Sequence, residues 1–230
     1  YHEIADFKDG PIAQEEYYFL GYVTEFKYTK VLAQNFLNGK ISNLSNLGAD
    51  WGFAPNARAM VFIDNHDTQR GSFPGLPVMT YKNGNAYLLA NVFMLAWPYG
   101  TPIVMSSFRF DQRDEGSPKL GPYAQPELWA LEHRHPMILA MIQFRKKVEN
   151  TEVNSWWSNG NNQIAFGRGE NGFVVINNEN NVLETSFQTH LPAGNYKNVL
   201  SENDKIEYTV DDHHRLHAKI PQYSALVLVK

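Results

Sequence analysis

The sequence changes its repeating pattern near residue 150, and this change constrains the fold more than any other feature. Before that point, apolar runs that end in polar residues alternate with segments of helical spacing. Strands alternating with helices predict βαβ units and a parallel sheet, either a barrel or a doubly wound sheet. After that point, short alternating segments are separated by Asn, Gly, Asp and Pro, which predicts an antiparallel β-sandwich.

The same patterns predict where the elements lie. We expect strands at residues 21–28, 57–67 and 101–107, and helices at 31–39, from Ala86 onwards and at 131–148. The last helix ends between Glu149 and Val153. We therefore divide the chain into a first domain at 1–150 and a second at 151–230.

Composition excludes several classes of protein. The formal net charge is -4, and Lys and Arg are scattered among Asp and Glu, so there is no basic stripe for nucleic acid. No apolar run reaches the roughly 18 residues of a membrane helix. The chain has no Cys, which excludes disulfides and thiolate metal sites.

Residues 1–7 have the pattern of the end of a buried strand, so we expect the chain to begin inside a domain.

Two segments carry candidate catalytic carboxylates. The polar residues Asp64 to Asp67 directly follow the apolar run MVFI, and Glu3 closes a short segment at the start of the chain. Polar side chains at the carboxyl ends of parallel strands converge on one face of a barrel. Two carboxylates in one cleft can divide the work of glycoside hydrolysis. A polar capping loop and a surface Glu are the plainer interpretations.

Eight motifs occur in order along the chain: VTEFKY, GADWGFAP, FIDNHDTQRG, FMLAWPYG, IVMSSFRF, NQIAFGRG, GFVVINN and LPAGNY. Together they resemble the α-amylases of glycoside hydrolase family 13, in particular the group that contains animal and some bacterial enzymes, and the resemblance runs from residue 1 to about 200. FIDNHD is the most specific of the motifs. The resemblance implies the second half of a (β/α)8 TIM barrel, followed by a C-terminal antiparallel β-sandwich of Greek-key type.

The resemblance also implies residue roles. Glu3 matches the family's general acid/base, Asp67 its transition-state-stabilising Asp, and His66 the histidine that hydrogen-bonds the sugar; His2 is a further substrate-binding candidate. The implied reaction is retaining endo-hydrolysis of α-1,4-glucosidic bonds in starch or glycogen. The partner would be an α-glucan polysaccharide, and the resemblance implies secretion and a monomer when the protein is full length.

The family's nucleophilic Asp lies on the strand before the one that ends at the acid/base. We therefore expect the nucleophile upstream of Tyr1, together with most ligands of a bound calcium, and no metal site within these 230 residues. Without the nucleophile no covalent intermediate can form, and a half barrel exposes two strand edges. The chain alone is expected to be inactive and poorly stable.

One departure concerns chloride, which activates the animal enzymes of the family. The Asn ligand is retained as Asn65, but the position of the Arg ligand is occupied by Ile103. Because isoleucine carries no positive charge to hold an anion, chloride binding is not expected.

Other residues allow more than one interpretation. Asp212, His213, His214 and His217 have a spacing that suggests a metal site, but solvated side chains on a turn are favoured. His133 and His135 are interpreted as structural. Trp156 and Trp157 could offer a sugar-stacking platform, although packing between the domains is favoured.

Two other functions remain open. The chain could belong to a catalytically silent α-glucan-binding homologue, against which the retention of Glu3, His66 and Asp67 argues. It could also be a transglycosylase that uses the same covalent intermediate, a choice that depends on water exclusion at the acceptor site.

Overall fold

The first part of the chain forms a small parallel sheet. The computed structural model describes residues 1–7, 10–73, 75–201 and 206–230. Strands β1 (Val23–Thr24), β2 (Ala59–Val61) and β3 (Thr101–Pro102) pair in parallel in that order. His2 extends the sheet through a parallel bridge to Val23. The predicted parallel sheet is confirmed, but its strands are much shorter than the apolar runs suggested.

Three α-helices accompany this sheet: α1 (Phe26–Leu37), α2 (Asn85–Ala96) and α3 (Pro136–Lys147). The predicted strand at 21–28 is wrong beyond Thr24. The Glu25 carboxylate accepts a hydrogen bond of 3.0 Å from the backbone N–H of Lys27, so it caps α1 and brings Phe26 into the helix. The predicted helix at 131–148 begins only at Pro136, because proline is suited to a first turn.

Short 3₁₀ turns fill much of the remaining first part. They lie at Gln14–Tyr17, Ile41–Asn46, Ala49–Trp51, Asn56–Arg58, Thr68–Arg70, Tyr81–Asn83, Pro126–Leu128 and Glu132–Arg134.

From Val153 onwards the chain forms two four-stranded antiparallel sheets. One has the order β11-β6-β5-β4 and the other β7-β10-β9-β8. In the second sheet β8, β9 and β10 form a meander and β7 returns beside β10, which is a Greek-key arrangement. The predicted antiparallel sandwich is confirmed. Its strands are β4 (Val153–Ser158), β5 (Gln163–Arg168), β6 (Gly172–Asn177), β7 (Leu183–Gln188), β8 (Gly194–Lys197), β9 (Glu207–Val210), β10 (Arg215–Ile220) and β11 (Ser224–Val229).

The sheet that contains β5 and β6 is buried on both faces. Phe166 and Val174 pack with the helices of the first part, whereas Phe173 and Val175 face the second sheet. Both strands therefore read as continuous apolar runs. In β10, by contrast, buried and exposed residues alternate, because its outer face meets solvent.

Two arginines bind the end of α2, and one of them, Arg168, joins the first part to the second. Arg145 of α3 donates to the carbonyls of Trp97 and Gly100 at 2.8 and 2.7 Å, and Arg168 of β5 donates to the carbonyl of Ala96. Both guanidinium groups therefore lie at the carboxyl end of α2. They satisfy carbonyls that the last helical turn leaves without partners, and they oppose the negative end of the helix dipole.

The two tryptophans are packing residues. The ring centroid of Trp156 lies 5.9 Å from those of Trp97 and Phe166, and Trp157 meets Phe187 edge to face at 5.2 Å. The favoured interpretation, packing between the two parts, is confirmed for Trp156. Trp157 instead packs between the two sheets.

No helix in the described ranges is long and apolar enough to cross a membrane. The division at residues 149–153 stays a prediction, since the buried core that includes Phe93 and Phe166 runs through both parts.

Candidate active site

The candidate carboxylates lie on segments that flank β1. His2, on one side, donates its backbone N–H to Tyr22 and accepts from Thr24, which places Glu3 directly after the bridge. On the other side β2 ends at Val61, and Asp67 follows six residues later. Both acids therefore emerge at the carboxyl end of the parallel sheet, where the sequence predicted that they would meet.

Asn65 shapes the loop that carries Asp67. Its side-chain oxygen accepts hydrogen bonds from the backbone N–H groups of Asp67 and Thr68 at 3.1 and 2.8 Å. Its amide nitrogen donates to Oε1 of Glu3 at 2.9 Å. A single asparagine thus closes the turn and connects the two candidate segments, which is a use that only a side chain with both a donor and an acceptor can serve.

Glu3, His66 and Asp67 come together at the surface. Each offers a polar atom, and these atoms all lie within 4.8 Å of one another. Nε2 of His66 is 3.8 Å from Oδ1 of Asp67, and their side chains are 68% and 42% exposed. Both side chains are therefore accessible to solvent.

Among the described residues, Glu3, His66 and Asp67 form the only group of three His or acidic side chains with the spacing of metal ligands. Calcium prefers about six to eight oxygen ligands. Two carboxylates and an imidazole do not match that preference. No group with metal-ligand spacing forms, within the described ranges, among the side chains of Asp212, His213, His214 and His217. Nδ1 of His217 instead lies 3.2 Å from Oγ of Ser186 on the neighbouring strand.

The other residues singled out in the sequence have different surroundings. The ring of His2 lies 6.2 Å from the ring of Tyr17. Ile103 follows β3 and donates its backbone N–H to Val61 at 2.8 Å. His135 caps α3 by accepting from the backbone N–H of Met137, so its structural interpretation is confirmed. His133 has a buried Nδ1 with no partner in the described part of the chain.

A buried polar network lies beneath the site. Oδ1 of Asp64 accepts from the hydroxyl of Tyr87 at 2.9 Å, and Oδ2 accepts from the side-chain amide of Gln69 at 2.7 Å. The same amide nitrogen donates to Oε1 of Glu132 at 3.2 Å. Glu132 also accepts from both the backbone N–H and the hydroxyl of Ser107. The network joins three loops.

Burial dominates the electrostatics of this network. It raises the pKa of the Asp64 carboxyl to about 7, against the hydrogen bonds from Gln69 and Tyr87 that lower it. Glu132 adds a like charge that also raises it. Burial, and then the two acids, raise the pKa of Tyr87, so Tyr87 remains a hydrogen-bond donor.

Sequence reasoning included Asp64 in the polar cluster but missed Gln69 and Glu132. Little in the sequence indicated that Glu132 is buried, because a charged residue near a predicted helix start is ordinarily solvated. Gln69 follows the cluster within the same motif, and nothing in its spacing distinguished it from an exposed loop residue.

Comparison with known proteins gives one family match, in the second part of the chain. Residues 156–230 match the family described as "Alpha amylase, C-terminal all-beta domain". An α-amylase-related protein of Drosophila willistoni is 41% identical over 216 residues, which cover 87% of this chain and 43% of that protein. The chain is a relative of the α-amylases. The resemblance inferred from the motifs is thereby confirmed.

Other α-amylase relatives extend the comparison. An α-amylase of Streptomyces violaceus is 42% identical over 83% of this chain and 33% of its own length. The crystal structure of α-amylase I from Eisenia fetida superposes with a TM-score of 0.92 and 31% identity, over 99% of this chain and 53% of that one. A mutant of that enzyme, solved with maltohexaose, has the same TM-score. The chain thus spans less than half the length of the Drosophila willistoni and Streptomyces violaceus relatives.

Proposed function

We propose that this chain is part of an α-amylase that cleaves internal α-1,4-glucosidic bonds of starch or glycogen with retention. One observation carries the proposal: Asn65 holds Oε1 of Glu3 at 2.9 Å, while Glu3, His66 and Asp67 converge within 4.8 Å. Two of the relatives, from Streptomyces violaceus and Eisenia fetida, are named α-amylases. In the proposed fold, the short parallel strands are the later half of a (β/α)8 barrel.

The hydrogen bond from Asn65 assigns the two oxygens of Glu3 different tasks. An amide N–H can only donate, so Oε1 must accept. The acidic proton of Glu3 then resides on Oε2, the oxygen left to face the scissile bond. From there Glu3 protonates the leaving glycosidic oxygen, and it later takes a proton from the incoming water.

Asp67 stays ionised in this mechanism and stabilises the positive charge that develops on the sugar. His66 and His2 are proposed to hydrogen-bond the sugar. The nucleophile must be a further carboxylate, because Glu3 is occupied with proton transfer and Asp67 with charge stabilisation. We propose that it comes from outside these 230 residues, together with most calcium ligands. Since Ile103 supplies no positive charge, chloride is not expected to bind.

The protein is proposed to be secreted, since starch is too large to enter cells, and the family resemblance supports a monomer when the protein is full length. The test compares starch hydrolysis by the protein as its gene encodes it, by its Glu3→Gln variant, and by residues 1–230 alone. Loss of a general acid typically costs about 10²–10⁴ in rate. We expect an active parent, a Glu3→Gln variant reduced by that factor, and an inert short chain.

Each other outcome identifies a specific error. Undiminished activity of Glu3→Gln means that Glu3 is not the acid. Glucan binding without cleavage by the parent protein supports the silent homologue instead. Longer glucans among the products, at the expense of reducing ends, identify a transglycosylase. Hydrolysis by residues 1–230 alone contradicts the proposal that the nucleophile lies outside them.

A further inference from the structure

The loop that carries the candidate catalytic residues has few backbone ties to the sheet. β2 ends at Val61, and residues 64–69 are closed mainly by bonds within the loop. Thr68 accepts from the N–H of Asn65 at 2.8 Å, and the N–H of Gln69 donates to the carbonyl of Asn65 at 3.0 Å. Internal bonds fix the shape of the loop, but they do not fix its position. Its position depends on bonds to other segments.

Among the described residues, Gln69 makes one of the two buried side-chain bonds that hold the loop from outside; the other is the bond from Tyr87 to Asp64. The Gln69 side chain is almost fully enclosed, with the residue 5% exposed, and its single amide nitrogen donates both to Asp64 and to Glu132. Two N–H groups on one nitrogen are enough for these two bonds. One bond therefore remains inside the loop, and the other leaves it.

Glu132 carries the connection onward to two more segments. Ser107, which follows the strand β3 region, donates its backbone N–H to Oε2 of Glu132 at 2.7 Å. The carbonyl of Ser107 in turn accepts from the N–H groups of Ala130 and Leu131 at 2.9 and 3.2 Å. Gln69 is thus the point at which the catalytic loop joins a rigid unit made of residues 107 and 130–132.

Charge makes this junction sensitive to substitution. The donors that described residues supply to Asp64 and Glu132 are all neutral, namely Tyr87, Gln69 and Ser107. Two buried carboxyl groups close to each other need hydrogen bonds to offset their repulsion and the loss of water. Loss of the bridging amide would push the two groups apart and displace the loop.

We propose that Gln69 is a positioning residue, whose side-chain amide holds the Asn65–Asp67 loop against Glu132 and thereby aligns Asp67 and Glu3 with the substrate. The inference rests on the proposed α-amylase activity. It assigns Gln69 no contact with the sugar. A misplacement of about 1 Å in a catalytic group can lower the rate about 100-fold, so a small loop shift is sufficient.

The sandwich supplies a matched control. Gln163 is also 5% exposed, and its amide nitrogen also donates to two side-chain oxygens, those of Asn177 and Asn181 at 3.1 and 3.4 Å. It lies in β5, away from the loop. Methionine has nearly the shape of glutamine and makes no amide hydrogen bond, so Gln69→Met and Gln163→Met each remove a buried amide that donates to two side-chain oxygens.

The experiment measures kcat, KM and the thermal midpoint of the protein as its gene encodes it, with a soluble maltooligosaccharide as substrate. We expect both variants to lose similar stability. Gln69→Met should lower kcat about 10- to 100-fold with KM within about twofold, and Gln163→Met should keep both constants. Equal kcat values in the two variants would overturn the inference, as would a defect confined to KM.

A second variant covers a folding failure. Gln69→Asn keeps an amide but shortens the side chain by one methylene, so it should not reach both Asp64 and Glu132. If Gln69→Met does not fold, Gln69→Asn should lower kcat several-fold, and an unchanged kcat overturns the inference. Failure of the proposed function is separate, because the parent protein would then show no hydrolysis at all.

Discussion

Strands of the first part are two or three residues long, whereas β5, β6, β10 and β11 each run for six residues. The sandwich is held by continuous backbone ladders and by a core that includes Phe173 and Leu228. In the first part, side-chain hydrogen bonds such as that from Gln69 to Glu132 hold neighbouring segments in place. The candidate site therefore lies where position depends on individual side chains, and the sandwich supplies stability that few single polar groups control.

The largest expected effect on stability tests the sandwich side of this comparison. Phe173 is fully buried between the two sheets, and its ring centroid lies 5.8 Å from that of Phe187. Replacing such a phenylalanine with alanine leaves a cavity and typically costs about 3–5 kcal/mol. Phe173→Ala should shift the urea midpoint accordingly.

The catalytic constants of that variant complete the test. Measured on the folded fraction at low temperature, kcat and KM for maltooligosaccharide should match those of the parent. A lowered kcat in the folded fraction would contradict the separation of the two regions, because it would show that the sandwich core also positions the catalytic loop.

The next effect concerns Asp64 and depends on pH. Burial raises the pKa of this carboxyl to about 7 in the folded protein, against about 3.9 in an unfolded chain. The folded state therefore binds more protons between these values, and the stability of the parent falls as pH rises from about 4 to 7. Asn at this position can still accept from Gln69 and donate to Tyr87, without ionising.

Asp64→Asn should therefore gain stability over the parent as pH rises, by a few kcal/mol above pH 7, since each pKa unit corresponds to about 1.4 kcal/mol. At about pH 4 the two proteins should have similar free energies of unfolding. The measurement is a series of urea unfolding curves from pH 4 to 8. Parallel stability curves for parent and variant would show that Asp64 does not titrate differently in the fold.

The smallest expected effect on stability comes from a polar contact in the first part that lies outside the catalytic loop. Thr80 accepts from the N–H of Lys82 at 3.1 Å, and its own N–H donates to Asn83 at 2.9 Å, which together form a capping box before α2. Thr80→Ala should cost about 1 kcal/mol and leave kcat unchanged. A fall in kcat comparable to that of Gln69→Met would mean that polar ties anywhere in this part control the site.

Sequence patterns predicted the sandwich better than the parallel sheet. Strands β6 and β11 are apolar runs bounded by turn residues, so period and length agree. The run GYVTEFKY failed as a strand because the side chain of Glu25 caps a helix, and a capping bond is invisible to periodicity. The Glu25 carboxylate therefore favours a helix start over a continued strand at this point.

The candidate site was predictable only in part, for a related reason. Strand ends and FIDNHD pointed to Glu3, His66 and Asp67, because strand topology fixes which ends converge. The partnership of Gln69 with Glu132 spans 63 positions in sequence. Neither residue type is distinctive, and only the folded chain shows that both are buried and share a hydrogen bond.

The junction at the end of α2 bears on how such a protein could be recombined. Arg145 and Arg168 reach the same helix end from different parts of the chain, and Arg168 also donates to the carbonyls of Val148 and Thr151 at 3.1 Å. A foreign sandwich grafted after residue 150 would deprive the carbonyls of Ala96 and Val148 of the Arg168 guanidinium unless its second strand ended in arginine. A chimera that keeps this donor should therefore be more stable than one that lacks it.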